Sequence, residues 1–368
     1  MSESRTQRPA TVADVARTAK VSKAQAARAL GGYGAVSEPV RTKVLAAAEQ
    51  LSYRPNALAR SMNTGRSQTI GVVIGDVENP FFGLATRGLS DTLRQNGYDV
   101  VLANTGERVD VEQDAVRVML DKRVDGLVVS PASSLHVDHL SGVLASGRPM
   151  VFLDRSIPRL GVDSVEVDLR GLARQATREL IELGHRRIGF LSAVDAPSDT
   201  YSPDIELSNS SVAERLAGIV EACGEASIEV DPAWIRLNLP TPDSISAATR
   251  AMASLENAPT AVIASDSMVG LEVLTTLRAD AVRVPDEVSF LMFDDMPWSS
   301  LIDPPITVIS QPAYDMGVLA AQTLLARLGN PQIEAARHVL EGRVVHRESV
   351  ARVPVPRPAG TQGAASTT

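Results

Sequence analysis

"TVADVARTAKVSKAQAARAL", Thr11 to Leu30, is the stretch on which the architecture of this chain turns. Val12, Val15, Ala16 and Ala19 fall at i, i+3, i+4 and i+7, one apolar face of a short helix. A break at "KVS" follows, and Ser22 is placed to cap a second helix running to Leu30. "GGYGAVS" reads as a loop. Ser37 then caps a third helix over "EPVRTKVLAAAEQLS", with Val40, Val44, Ala47, Ala48 and Leu51 facing inward. Three short helices, the first two joined by a tight turn, describe a helix-turn-helix headpiece.

Charge sets this head apart from the rest. Of the 368 residues, the first 68 hold eleven Lys or Arg against four acids, a net +7. The remainder therefore carries −15 of a total −8. A basic head on an acidic body suits a chain whose one end meets phosphate while the other stays off it.

Moving outward, "RPNALARSMNTGRSQ" lets Pro55 start a helix that "NTGRS" soon ends. Helices shorter than ~12–15 residues are marginal in water, so this one is expected to form only with support. From Thr69 short apolar runs alternate with helical segments: "TIGVVIGD", "YDVVLANT", "DGLVVSP" and "PMVFLD" in one series. "SVEVD", "RIGFLS", "AVIAS" and "VSFLMFDD" form a second. Strands alternating with helices imply parallel sheets, and two series imply two doubly wound lobes, an α/β fold behind an α-helical head.

The expected division is a headpiece over residues 1–54, a hinge helix and linker over 55–68, and a core over 69–351. Within the core, lobe one covers about 69–168 and 311–338, and lobe two about 169–310 and 339–351. A Pro-, Gly- and Ser/Thr-rich tail over 352–368 is expected to be disordered.

The chemistry is defined partly by what is missing. No Walker loop, no G-x-G-x-x-G after a strand, no G-x-S-x-G elbow and no Cys/His cluster occurs, so no catalytic residue, cofactor or metal is expected. The pair His136 and His139, in "SSLHVDHLSG", reads as a solvated loop or helix start. One cysteine, Cys223, cannot form an internal disulfide, and "MSESRTQRPA" has no signal-peptide core. No apolar run reaches the roughly 18 residues of a membrane span. A cytoplasmic protein without membrane contact is the expectation.

Doubly wound sheets place ligand at the carboxyl ends of their strands, which here carry Asp76, Asp154, Asp266 and Asp294. Carboxylates accept hydrogen bonds from hydroxyls, and the rings of Phe81 and Phe82 can pack on a sugar or base face. Asp294 and Asp295 are adjacent on a strand, so they point to opposite faces and do not read as a catalytic dyad.

At these residues the chain resembles transcriptional regulators of the lac repressor (LacI/GalR) family, from about Thr11 to Val350. The likeness rests on "TVADVARTAKVS", "VSEPVRTKVLAAAEQLSYRPNALARSMNTGRSQTIGVVIGDVENPFF", "DGLVVSP", "ELGHRRIGFLS", "VSFLMFDD" and "VVHRES". It implies a headpiece that binds a palindromic double-stranded DNA operator as a homodimer, a hinge helix in the minor groove, and a periplasmic-binding-protein-like core. It further implies that Lys23 and Ala24 open the recognition helix, with Arg28 one turn on, reading a base or holding a phosphate. Asn56 and Ala59 fall on hinge positions that touch the minor groove, and Met62 on the position of an apolar wedge. Lys20 stands where the family has its turn glycine, and Gln25 replaces a Thr; both can still donate to phosphate, beside Ser22.

For the core, the resemblance implies an effector site from Asp76, Asn79, Phe81, Phe82, Asp154, Arg155, Arg215, Asp266, Asp294 and Gln311. Each of these could instead be a helix cap or an interlobe strut, and Trp298 could shield the cleft. The function expected is that of a repressor controlled by a small hydroxylated effector, a sugar, polyol or nucleoside, acting as a dimer or a pair of dimers. A solute-binding module without DNA function would account for residues 69–350 but not for the head.

Overall fold

The computed structural model describes residues 8, 10–31, 33–53 and 65–353. The hinge candidates Asn56, Ala59 and Met62 lie outside the described residues, as does the tail from 354 onward.

Three helices form the head: α1 Val12–Ala19, α2 Lys23–Gly31 and α3 Glu38–Gln50. Their inner faces close on one another through Val15, Ala16, Ala19, Ala26, Ala29, Val44, Ala47 and Ala48, with Leu51 and Tyr53 against the edge. A core made so largely of Ala brings helix backbones close, and it leaves little apolar area to hold them. Ser37 precedes α3 in extended backbone, but its side chain makes no capping bond. The expected cap is therefore absent, and Pro39 in the first turn supplies the start.

Two six-stranded sheets make the core. The first has the order β11-β5-β4-β3-β1-β2, all parallel. Its strands are β1 Thr69–Ile74, β2 Asp99–Asn104, β3 Gly126–Val129, β4 Met150–Leu153, β5 Asp163–Val167 and β11 Arg337–Leu340. "SVEVD", expected in the second series, pairs here between β4 and β11. The second sheet has the order β12-β10-β9-β8-β6-β7. It comprises β6 Ile188–Leu191, β7 Ile235–Arg236, β8 Ala261–Ala264, β9 Ser289–Phe293, β10 Thr307–Ser310 and β12 Arg343–Val345. Only β12 runs antiparallel, against β10.

Helices cover both faces: α4 Pro80–Gln95, α5 Val109–Asp121, α6 Asp138–Ala145 and α11 Ala313–Gly329 in lobe one. Lobe two holds α7 Leu169–Glu182, α8 Ser210–Glu225, α9 Pro242–Ala253 and α10 Ser267–Ala279. Where α4 meets α11, a Cβ on Gly88 would lie 2.1 Å from the Tyr314 carbonyl oxygen, and one on Gly317 1.9 Å from that of Ala85. Only glycine at both positions allows this backbone-to-backbone crossing.

The chain passes between lobes three times: after β5, after β10 and between β11 and β12. The last passage follows Leu340, two residues beyond the expected 338/339 boundary, because β11 pairs through Leu340 with Val167. At the far end, the Val353 amide donates to the Leu183 carbonyl, so residues 352 and 353 are docked on lobe two and do not belong to a loose tail. All six phenylalanines are buried. That includes Phe81 and Phe82, which pack edge-to-face at 5.3 Å inside the lobe-one core.

Candidate functional site

At the head, local bonds set the turn. Thr11 and Asp14 cap α1 reciprocally, with the Thr11 amide 3.0 Å from Asp14 Oδ2. The helix ends at Lys20, whose φ of 57° is left-handed, the backbone region that favours glycine. Ser22 and Gln25 then form a second reciprocal cap. Gln25 N donates to Ser22 Oγ and Ser22 N to Gln25 Oε1, both at 3.1 Å. The carbonyl of Gln25 is thus committed to starting α2, and only its amide nitrogen remains to meet a phosphate. Lys23 and Ala24 stand exposed at the same end. Arg28 is half-buried, its stem against Gly34, where an added Cβ would come within 2.9 Å of Arg28 Cδ.

In the core, the carboxyl ends of both sheets face a cavity of about 490 Å³, within the range that holds small molecules. Asp154 follows β4 and Asp294 follows β9, both in left-handed backbone, at φ 68° and 73°. Such strain in non-glycine residues collects where surrounding structure over-determines it. Burial raises the Asp154 carboxyl above its ordinary range, against the pull of Arg155 and Arg215. Burial likewise pushes Asp294 up to about 6, opposed by Arg215 and assisted by Asp266.

Arg215 reaches in from α8. Its Nη1 donates to the Ser265 carbonyl at 2.7 Å, and the guanidinium lies 4.6 Å from the Phe293 ring centroid. Arg215 Nε and Asp154 Oδ1 are buried and have no hydrogen-bond partner among the described residues. One is a donor and the other an acceptor, from opposite lobes of one cavity.

Other expected site residues have structural duties. Arg155 is held by Glu107 through two bonds of 2.6 and 2.8 Å, and by the Pro131 carbonyl at 2.7 Å. It ties the ends of β2, β3 and β4 together, and its Nε, without a hydrogen bond, lies 3.6 Å from Asp154 Oδ2. Burial alone would weaken its hold on the proton, but Glu107 reverses this and raises it. Asp266 is the cap of α10, accepting from the amides of Met268 and Val269 at 2.9 Å, while its other oxygen takes the Ser265 hydroxyl. Gln311 does not line the cavity; its amide donates to Asp294. Asp76 and Asn79 reach the cavity rim, each with one oxygen on a local backbone amide. Phe81 and Phe82 border it from within the core, so no ring face is free for stacking. Trp298 packs on the second-lobe core and not over the cleft.

Sequence reasoning missed Glu107, Asn209 and Ser211. Glu107 follows the end of β2, the same signal that singled out Asp76 and Asp154, and could have been found by it. Asn209 caps α8 and accepts the Ser211 hydroxyl at 2.9 Å; nothing in "ELSNSSV" points to a cleft. His139 stands in the first turn of α6, a helix start as expected, but its surroundings differ from the expectation. It is not solvated but sits 2.6 Å from buried Glu112, whose other oxygen accepts the Ala132 amide. No group of three His, Cys, Asp or Glu that could hold a metal occurs among the described residues.

Comparison with known proteins bears on both parts of the chain. Residues 11–56 match the family described as bacterial regulatory proteins, lacI family, and residues 158–350 match a periplasmic binding protein-like domain. The chain is 31% identical to the HTH-type transcriptional repressor PurR of Photobacterium profundum, over 93% of this chain and 98% of that one. It is 29% identical to the ribose operon repressor of Haemophilus influenzae over the same shares. CytR of Escherichia coli K12, also an HTH-type transcriptional repressor, is 29% identical over 94% of this chain and 97% of its own. In structure, it is similar to the lac repressor dimer bound to operator and the anti-inducer ONPF. The TM-score is 0.78 and the identity 25%, over 94% of this chain and all of that one. It is also similar to a complex of the regulator CelR with cellobiose, at a TM-score of 0.66 and 30% identity, over 93% of this chain and all of that one.

Proposed function

The chain belongs to the lacI family of bacterial regulatory proteins, and from that premise we propose how its own residues bind operator and effector. It is a DNA-binding transcriptional repressor with a small-molecule-binding core. Working as a dimer in the cytoplasm, it presents two α2 helices to the major grooves of a palindromic site. Lys23, Ala24 and Arg28 face base edges there, and Lys20, Ser22 and the Gln25 amide hold phosphates. Asn56, Ala59 and Met62 act from the hinge in the minor groove.

The effector is a neutral hydroxylated molecule, and the observation that carries this is the pair of unpartnered buried atoms, Asp154 Oδ1 and Arg215 Nε. A hydroxyl both donates and accepts, so neighbouring hydroxyls satisfy both atoms at once. Asp294 and the rim groups Asp76 and Asn79 add further polar contacts, while Asp266, Arg155, Phe81, Phe82 and Gln311 shape the wall. Nothing in this arrangement asks for bond-making chemistry. Because the pair comes from different lobes, a ligand bridging it changes the balance between lobe arrangements. Regulation is then a coupling between cleft and DNA affinity, commonly about 1–3 kcal/mol.

The test is a thermal-shift screen of sugars, polyols and nucleosides, with amines and carboxylates alongside, on wild type and Arg215→Ala. A neutral hydroxylated hit that the variant loses, and that alters binding to an operator selected from random DNA, is expected. A hit set confined to carboxylates or amines overturns the assignment.

A further inference from the structure

Lobe one has a second cavity, at the opposite pole from the effector cleft. With about 780 Å³ it is the roomier of the two, and it opens at the amino ends of β1, β3, β4 and β5. Open α/β sheets ordinarily take ligand at the carboxyl ends, so its chemistry must be judged on its own walls.

Those walls divide into a cationic side and an apolar side. Arg66, Arg123, Arg148 and Arg327 all line the cavity, against the single carboxylate Asp125. Asp125 is already occupied, since one oxygen takes the Ser67 amide and hydroxyl at 2.7 and 3.0 Å and the other the Gln68 amide at 2.9 Å. Three of the arginines have donors to spare. Arg123 is exposed, and its guanidinium has no partner among the described residues. Arg148 uses only Nε, on the Val124 carbonyl at 2.8 Å. Arg327 is anchored by Asp163 at 2.5 Å and the Ile333 carbonyl at 3.0 Å, yet its Nη2 is buried and unpartnered. Leu144, Pro149, Met150, Val162 and Leu328 supply the apolar side.

Several guanidinium groups gathered on an acidic body are matched by an anion with more than two acceptor oxygens, because each planar fork takes two of them. A phosphate fits, and the apolar side leaves room for an organic body behind it. We propose that this cavity binds a small phosphorylated organic molecule, its phosphate held by Arg123, Arg148 and Arg327. Residues 65–67 form one wall, at the root of the linker to the DNA-binding head. Occupancy therefore touches the connection to DNA without passing through the effector cleft, and it is independent of what that cleft binds.

Titration calorimetry on the full chain, with phenyl phosphate as probe and phenol and inorganic phosphate as its separated halves, tests this. Phenyl phosphate is expected to bind more tightly than either half. Arg123→Gln/Arg148→Gln should weaken it at least about tenfold, the loss of one or two charge-assisted bonds. Arg123→Gln alone, at an exposed position, should weaken it less while leaving the melting temperature unchanged. Arg215→Ala, in the other cavity, should leave phenyl phosphate binding as it is. Three outcomes overturn the proposal. The first is no phenyl phosphate binding to the wild type. The second is binding that Arg215→Ala abolishes and the double variant keeps. The third is a double variant that binds the probe normally but loses operator affinity with a flatter salt dependence, which would assign these arginines to the DNA backbone.

Discussion

Gln311 Nε2 donates to Asp294 Oδ1 at 2.9 Å, linking the strand by which the chain leaves lobe two to the acid at the end of its neighbour. Asp294, in left-handed backbone, lines the proposed effector cleft beside Arg215. Gln311 Oε1 is itself buried and has no hydrogen-bond partner among the described residues.

Asp294→Asn should raise stability at neutral pH and lower effector affinity together. Asp294 binds its proton more tightly folded than unfolded, with a pKa near 6 against an ordinary 3.8. Its neutral form is the one the fold prefers. Stability is intact below pH 4 and falls as pH rises through 6, by on the order of 3 kcal/mol. Asn is neutral throughout and tolerates positive φ. Urea unfolding at pH 4 and pH 7.5 checks this. The variant should gain only at the higher pH, and an equal effect at both would show that ionisation is not the cause.

Lys20→Gly should stabilise the headpiece yet weaken its grip on DNA. A left-handed residue other than glycine costs roughly 1–2 kcal/mol, part of which glycine returns as unfolded-state entropy. A net gain of about 0.5–1 kcal/mol in headpiece stability is expected. If Lys20 holds a phosphate, the slope of log affinity against log salt should flatten by about 0.9 for each headpiece. An unchanged slope would confine Lys20 to the turn.

Arg28→Ala should cost about 1–3 kcal/mol in operator affinity and relax preference at one symmetric pair of positions. Its stem also packs on Gly34, so headpiece melting must be followed beside binding. Selection from a random DNA library separates the effects. A variant that melts early but selects the wild-type half-site would make Arg28 a packing residue and leave the reading to Lys23, Ala24 and the hinge.

Glu107→Ala should destabilise lobe one without touching the head. It leaves the buried Arg155 guanidinium with only a carbonyl for its amino groups. Removing one partner of a fully buried pair costs about 3–5 kcal/mol; with Glu107 partly exposed, about 2 kcal/mol is expected. Calorimetry should show the core transition shifted down and operator contacts of isolated headpiece origin unchanged in sequence preference. An unshifted core would mean water replaces the carboxylate.

Periodicity and charge were enough to read an α-helical head ahead of an α/β core with two parallel sheets. The spacing of Val12, Val15, Ala16 and Ala19, the alternation of apolar runs with helical segments, and the +7 head against a −15 body each report local or composition-level physics. Such properties are written along the chain and survive without knowledge of contacts. The acids at strand ends were legible for the same reason, since a strand's carboxyl end is a position in sequence. What each end residue does was not. Asp154 and Asp266 carry the same signal, yet one leaves an oxygen open in the cleft and the other spends one on capping α10 and one on the Ser265 hydroxyl. Glu107 and Arg155 are 48 residues apart and meet only because β2 and β4 lie in one sheet. Phe81 and Phe82, suited by type to stack on a ligand, are drawn into the lobe-one core, where they pack among Ile70, Ile74, Leu89 and Leu93. Hydrogen-bond capacity and apolar area are used up by whichever neighbours the fold brings near. The choice between ligand contact, cap and strut was therefore decided in three dimensions, by burial and by which polar atoms were left without a partner.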